Sequence, residues 1–323
     1  MNTRVLIMPP NWLGDVIMAQ PAMRALRQYY AQARLALYGR PWLRDLVPYL
    51  KLGMVDVHAQ RPPRADIAYL FPNSFRAAWS AWRSGCRERI GYRGQWRRML
   101  LTEAMAHRVD TRHEHHRAFF LDLVRQSGIP VRDEQVRLSV PKGDEFAVAR
   151  LLDARGMHMR RLVCVAPGAQ FGGAKRYPAP AYARVLRVLA AEGWHIVVLG
   201  TAQEQAIGAR ALAGVEGSVW NACGQTTLRE ALQLVAACRL LLCNDSGLMH
   251  VAAGMGRPTV CIFGATDPAR TAPSGPRVRL LYRPAPCSPC LARECRVAGQ
   301  PCMANIGSDE VLDACREMLR CGC

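Results

Sequence analysis

Lysine is almost missing from this chain: of 43 basic residues only Lys51, Lys142 and Lys175 are lysines, and the other 40 are arginines. A compact ammonium and a planar guanidinium are not equivalent at an anion site, so each of the three invites inspection. Long apolar runs are missing too. None reaches the ~20 residues that a bilayer-spanning helix needs. The start, Met1-Asn2-Thr3-Arg4, passes straight into Val5-Leu6-Ile7-Met8 and does not read as a signal peptide, so a cytoplasmic protein is expected. No Gly-x-Gly-x-x-Gly follows that apolar run, which excludes a dinucleotide fingerprint, and no glycine-rich loop ends in a Lys-Ser/Thr pair in P-loop register. Repeats of solenoid length, low-complexity tracts, and RRM, KH or helix-turn-helix patterns are also absent. Acids are scarce: 25 Asp and Glu leave a formal charge of +18, which asks for an acidic partner.

What is present fits a globular α/β protein. A length of 323 residues exceeds one ordinary core and predicts two domains. Strand-like runs at residues 4–8, 34–38 and 66–71 alternate with helical patterns at 16–30, 74–83 and 113–127. After an extended piece and turn near Val140-Pro141-Lys142-Gly143-Asp144 the alternation resumes. Strands are expected at 162–166, 195–199, 240–243 and 259–263, and helices at 180–192, 202–212, 228–238 and 247–255. This spacing implies βαβ units and parallel sheets, hence two doubly wound domains with a cleft between them.

Positive charge is densest from Arg76 to Arg98, where Arg76, Arg83, Arg87, Arg89, Arg93, Arg97 and Arg98 face Glu88 alone, with Trp79, Trp82, Tyr92 and Trp96 interleaved. Three partners fit such a stretch: nucleic acid, an anionic lipid surface or an acidic glycolipid. A merely solvated basic face is the fourth reading. The tryptophans suit either a core or a membrane surface.

Three turns at expected strand ends carry chemistry. Asn244-Asp245-Ser246-Gly247-Leu248-Met249-His250 joins a strand to a helix. Gly247 allows close approach, Ser246 and Gly247 can offer N–H groups to an anion, and His250 lies one helical turn on. An ordinary Asp/Ser helix cap is the alternative. Asn11-Trp12-Leu13-Gly14-Asp15 leaves the first strand; Asp15 reads either as a cap, worth roughly 1 kcal/mol, or as a general base aimed into the cleft. Gly168-Ala169-Gln170-Phe171-Gly172-Gly173-Ala174-Lys175 is glycine-rich, suits an anion-binding loop, and holds one of the three lysines.

Taken together, Gly14-Asp15 with the helix after it, residues 167–178, and the Asp245-Ser246-Gly247-x-x-His250 run resemble the ADP-heptose:lipopolysaccharide heptosyltransferases, glycosyltransferase family 9, over nearly the whole chain. Pro72-Asn73-Ser74-Phe75 and Lys175-Arg176-Tyr177-Pro178 resemble the heptosyltransferase II branch. The resemblance implies a GT-B fold of two Rossmann-like domains. Residues 1–141 would hold the acceptor and 142–323 the nucleotide sugar, ADP-heptose. It also implies an inverting, metal-independent transfer to the heptosyl-Kdo2-lipid A inner core of lipopolysaccharide. In that scheme Asp15 is the base, and Lys175, Asp245, Ser246, Gly247 and His250 grip the donor. Glu204 is a candidate for the ribose hydroxyls, and Thr227 (or Thr226) lines the nucleotide site. Asn73, Arg76 and Arg93 are candidates for the acceptor. A monomer working at the cytoplasmic face of the inner membrane is expected, with no nucleic-acid partner. A sister transferase with another acceptor (Kdo2-lipid A or an outer heptose) and a basic nucleic-acid-binding protein are the rivals.

Thirteen cysteines remain. Cys287, Cys290, Cys295 and Cys302 cluster, with Cys315, Cys321 and Cys323 beyond. A structural metal fits such clustering, but the second pair lacks C-x2-C spacing, so reduced, unligated thiols are expected.

Overall fold

The computed structural model describes residues 3–110 and 112–320, so Cys321 and Cys323 lie outside the described residues. Contacts divide the chain into two compact units, Met1–Ser139 and Val140–Cys323.

The first unit is built on a six-stranded parallel sheet of β1 (Arg4–Met8), β2 (Arg34–Tyr38), β3 (Asp56–His58), β4 (Ile67–Leu70), β5 (Glu88–Tyr92) and β6 (Glu103–Met105). Their order across the sheet is β3-β2-β1-β4-β5-β6. The second unit repeats the plan with β7 (Leu162–Ala166), β8 (His195–Val198), β9 (Val219–Asn221), β10 (Leu240–Asn244), β11 (Thr259–Phe263) and β12 (Val278–Tyr282). Here the order is β12-β11-β10-β7-β8-β9. In both sheets the chain winds outward from its first strand, then returns to the middle and builds the other half. Ligands of such doubly wound sheets bind outside the strands' carboxyl ends at that point of reversal. It lies between β1 and β4 in one unit and between β7 and β10 in the other.

Strands β7, β10 and β11 are buried along their whole length, as parallel strands covered on both faces must be. Val163, Val165, Leu242, Val260 and Ile262 meet Leu186 and Leu189 of the helix Ala179–Ala191, and Val311 and Met318 of the helix Ser308–Arg320. In the first unit the helix Leu13–Tyr29 is buried from Val16 to Leu26. Two polar residues in that stretch hold the end of the unit in place. Gln20 Nε2 donates to the Leu50 and Arg137 carbonyls at 2.9 and 3.0 Å. Arg24 donates to the Asp133 and Gln135 carbonyls at 2.9 and 3.2 Å.

Several expected boundaries shift for local reasons. The first helix begins at Leu13, not 16, with Trp12 at its cap position and no side-chain cap bond. Asp15 is therefore an acid inside the first turn, and the cap position belongs to Trp12. The helix expected over 113–127 starts at His116, because the His115 ring accepts from the Arg117 N–H and caps it. Residues 202–212 split into a 3-10 turn, Ala202–Glu204, and the helix Gln205–Ala211, since Thr201 and Glu204 form a capping box. The arginine-rich stretch 76–98 is not one face: β5 runs through it, and two of its arginines are structural. Arg89 spends its guanidinium on the Leu100, Cys86 and Arg87 carbonyls. Arg97 is fully buried.

Candidate active site

The β7–β10 register sets Ala166 beside Cys243, so the loops that leave these strands start as neighbours. Asn244 ties them together. Its amide donates to the Pro167 carbonyl at 2.7 Å, and its Oδ1 accepts from the Tyr177 N–H at 3.2 Å and the Tyr182 hydroxyl at 2.9 Å. The loop is thereby folded back on the strand end, and Lys175, closing the 3-10 turn Gly173–Lys175, reaches Asp245. Lys175 Nζ lies 2.6 Å from Asp245 Oδ2, with both side chains largely buried. The Thr266 hydroxyl, from the loop after β11, donates to the same oxygen at 2.6 Å. Phe171 places its ring 4.8 Å from the ammonium.

Beside this pair the helix Gly247–Gly254 begins. Ser246 occupies its cap position without making a cap bond, and its hydroxyl is buried with no hydrogen-bond partner among the described residues. A buried orphan hydroxyl is rare enough to need an explanation. A ligand oxygen at the helix N-terminus supplies one, because the free N–H groups and the helix dipole there favour an anion. His250 is buried on this helix. Cys243, just before the motif, is no nucleophile: burial pushes its thiol well above the usual range, with Cys261 adding to the shift.

At the ends of β8 and β9 the picture differs. Glu204 Oε2 accepts from the Thr201 N–H and hydroxyl at 2.8 and 3.0 Å. Its Oε1 faces Gly168, where a Cβ would stand only 2.0 Å away, so glycine at 168 makes room for the carboxylate. Thr227 caps the helix Leu228–Ala237, and its hydroxyl is already engaged with Glu230 in a capping box.

In the first unit Asp15 and Asn73 follow β1 and β4, the adjacent strands at the reversal point, with Met8 in register with Leu70. Asn73 Oδ1 accepts from Arg97 Nη2 at 3.0 Å. The same guanidinium donates from Nε to the Tyr92 carbonyl at 2.7 Å and from Nη1 to the Pro72 carbonyl. Burial pulls the Arg97 pKa down to about 10, which leaves it charged at neutral pH. Arg97 thus positions the 72–73 turn and does not face a ligand, whereas Arg76 and Arg93 are exposed.

Comparison with known proteins gives the family and the fold. The model of glycosyltransferase family 9 (heptosyltransferase) matches residues 58–300. Lipopolysaccharide heptosyltransferase 2 of Escherichia coli is 31% identical over 314 residues, covering 86% of this chain and 87% of that protein. The chain belongs to glycosyltransferase family 9. The same-named protein of Salmonella typhimurium is likewise 31% identical over 306 residues, covering 86% of this chain and 87% of its own. The solved structure of E. coli ADP-heptose lps heptosyltransferase II superposes with a TM-score of 0.82 at 26% identity, covering 98% of each chain.

In this family 9 chain further residues that sequence reasoning passed over bond to the candidate site. Thr266 sits in Gly264-Ala265-Thr266-Asp267-Pro268, a strand-end turn before a helix, and that position was its only signal. The cysteine-rich stretch matters through its other residues. The Arg293 carbonyl accepts from the Ala174 N–H at 2.9 Å, and Glu294 Oε1 from the Gly173 N–H at 2.9 Å. Gln300 Nε2 donates to the Ala174 carbonyl at 2.8 Å. These bonds strap the lysine loop. Cys287 and Cys290 are exposed, Cys302 is buried, and among the described residues no group of three or more His, Cys, Asp or Glu could hold a metal ion. No helix of the described residues is long and apolar enough to cross a membrane.

The strap makes Gly172 a sensitive position. A Cβ there would lie 2.1 Å from the Arg293 carbonyl oxygen, and backbone cannot yield as a side chain can. Gly172→Ala is expected to lower stability by about 1–3 kcal/mol and to weaken ADP binding, as read by denaturant unfolding and ADP titration. Wild-type values in both would show that the strap does not set the loop.

Proposed function

We propose that the protein transfers L-glycero-D-manno-heptose from ADP-heptose to the heptosylated Kdo2-lipid A inner core of lipopolysaccharide, with inversion and without a catalytic metal. The observation that carries this reading is the Lys175–Asp245 pair beside the orphan Ser246 hydroxyl at the second sheet's reversal point. Family membership and the names of the relatives supply the sugar and the acceptor class.

The chemistry follows from what must change charge. The acceptor hydroxyl oxygen bonds to the anomeric carbon while the bond from that carbon to the β-phosphate oxygen breaks. The electron pair leaves with ADP, and Lys175 and the N–H groups of the helix Gly247–Gly254 meet its added negative charge. Asp15 takes the hydroxyl proton. Base and leaving-group site belong to different units, and inversion requires them to act on opposite sides of the sugar. The second unit is thus assigned the donor and the first the acceptor. Glu204 Oε1 is assigned the ribose hydroxyls, His250 supports the turn, and Thr227 is kept as a helix cap. Asn73, Arg76 and Arg93 are assigned the acceptor's phosphates and carboxylates. Because that acceptor is a lipid, the enzyme works peripherally at the cytoplasmic bilayer face.

The test is ADP release and product mass with ADP-heptose and either heptosylated or heptose-free Kdo2-lipid A, in the presence of a chelator. Turnover of the heptosylated acceptor, undiminished by the chelator, is expected. Turnover of the heptose-free acceptor alone would move the protein to a sister transferase. Loss of activity with the chelator would overturn metal independence.

A further inference from the structure

The helix Phe75–Arg83 turns its large apolar residues the wrong way for an element facing water. Its inward side is made by Ala78 and Ala81, both fully buried, while Phe75, Trp79 and Trp82 are 43%, 41% and 47% exposed. Those three sit at i, i+4 and i+7, on one stripe. Phe75 stacks on Trp79 with centroids 6.3 Å apart, and Trp79 meets Trp82 at 4.9 Å. The turn Arg97–Leu100 packs against this helix, with Leu100 in the core cluster that holds Ala78 and Ala81. There Trp96 is 87% exposed and Met99 80%. The exposure of Trp96 is imposed by the backbone. Gln95 and Trp96 are left-handed, with φ of 47° and 59°, and the next residue, Arg97, is the buried anchor already described. An indole is thus held out into solvent by a pinned turn. Soluble proteins seldom expose a contiguous apolar stripe such as Phe75–Trp79–Trp82 without a partner.

The charge around the patch indicates which partner. Arg83, Arg87 and Arg98 are exposed, and Glu88 is the one acid between residues 76 and 98. Single-stranded nucleic acid stacks successive bases on a row of ring faces, whereas on the helix Phe75 and Trp79 turn a face to each other and the open indole of Trp96 stands on a separate turn. Tryptophan at headgroup depth with arginine against lipid phosphate matches the remaining chemistry. We propose that the Phe75–Trp79–Trp82 stripe and the Trp96–Met99 turn form the docking surface for an anionic phospholipid bilayer. The proposal rests on the reading of the acceptor as membrane-borne, and adds which residues hold the enzyme to the membrane.

The test uses the full chain with vesicles of phosphatidylcholine and phosphatidylglycerol, against phosphatidylcholine alone. Wild type is expected to co-sediment with the anionic vesicles, to release as salt rises, and to show tryptophan quenching by brominated lipid. Trp96→Ser and the double variant Trp79→Ser/Trp82→Ser should each lower vesicle affinity about tenfold or more. Both should turn over a delipidated, water-soluble acceptor at the wild-type rate and lose rate only on acceptor embedded in vesicles. Equal vesicle binding by wild type and variants would overturn the proposal, and so would wild-type binding that ignores lipid charge. Wild type that turns over the soluble acceptor but ignores vesicles removes the docking surface and leaves the transferase reading intact. Quenched, vesicle-bound protein that turns over neither acceptor overturns the transferase reading and leaves the surface standing.

Discussion

Asp15→Asn is expected to lower kcat by about 10³-fold while ADP affinity stays within about twofold of wild type. The size of the effect separates two roles for this acid. Asp15 lies in the first turn of the helix Leu13–Tyr29, where a carboxylate favours the dipole. That contribution is about 0.3–1 kcal/mol. It acts on stability, and even if all of it appeared in the rate it would amount to less than tenfold. General-base removal acts on the barrier alone, because the acceptor hydroxyl keeps its proton as it attacks. Asparagine is the right replacement, since it keeps the shape and removes only the basicity. Steady-state kinetics with saturating donor, paired with ADP calorimetry, make the measurement. A loss below tenfold would return Asp15 to a structural role. So would a loss shared equally between kcat and ADP affinity, since ADP is bound by the other unit in this scheme.

The central strands were legible because their burial leaves a plain mark. Val5-Leu6-Ile7-Met8, Leu162 to Ala166 and Leu240-Leu241-Leu242-Cys243 are continuous apolar runs, and both faces of a parallel sheet are covered. Edge strands carry no such mark. β3 is Asp-Val-His, β6 is Glu-Ala-Met and β9 is Val-Trp-Asn, each three residues long and held by its neighbour's hydrogen bonds. β5 was hidden inside an arginine-rich run whose charge suggested a surface, not a strand. The site divides the same way. Asp245 follows β10 directly and Lys175 lies on the loop that leaves the adjacent β7, so a doubly wound fold starts both from neighbouring strand ends. Thr266, Gln300 and Arg293 act through contacts between distant segments, with Gln300 Nε2 bonding residues 124 to 127 positions away. No local pattern encodes such a pairing. Arg97 misled for the same reason: a buried arginine and a solvated one have the same neighbours in sequence.

Lys175→Met is expected to do two separable things, and a second substitution tells them apart. Methionine keeps the stem against Phe171 but leaves the Asp245 carboxylate buried, with the Thr266 hydroxyl still donating to it. Breaking a buried ion pair by removing one partner costs about 3–5 kcal/mol. The lower end applies here, because Lys175 sits on a loop and keeps 12% of its side chain exposed. For a unit of this size that is a fall in melting temperature of roughly 6–12 °C. The second effect is on the ligand. A charge-assisted hydrogen bond contributes about 1.5–3 kcal/mol, so ADP should bind about 10- to 100-fold more weakly. Adding Asp245→Asn removes the stranded charge, and Lys175→Met/Asp245→Asn should regain most of the lost stability. It should not regain ADP affinity, since no ammonium is left to meet the diphosphate. The cycle therefore reads a strong coupling in unfolding and a weak one in binding. Unchanged ADP affinity in Lys175→Met would end the ligand role of the lysine. Recovery of affinity in the double variant would mean that Lys175 serves only to cancel Asp245, leaving the helix N-terminus and the Ser246 hydroxyl to bind the leaving diphosphate alone.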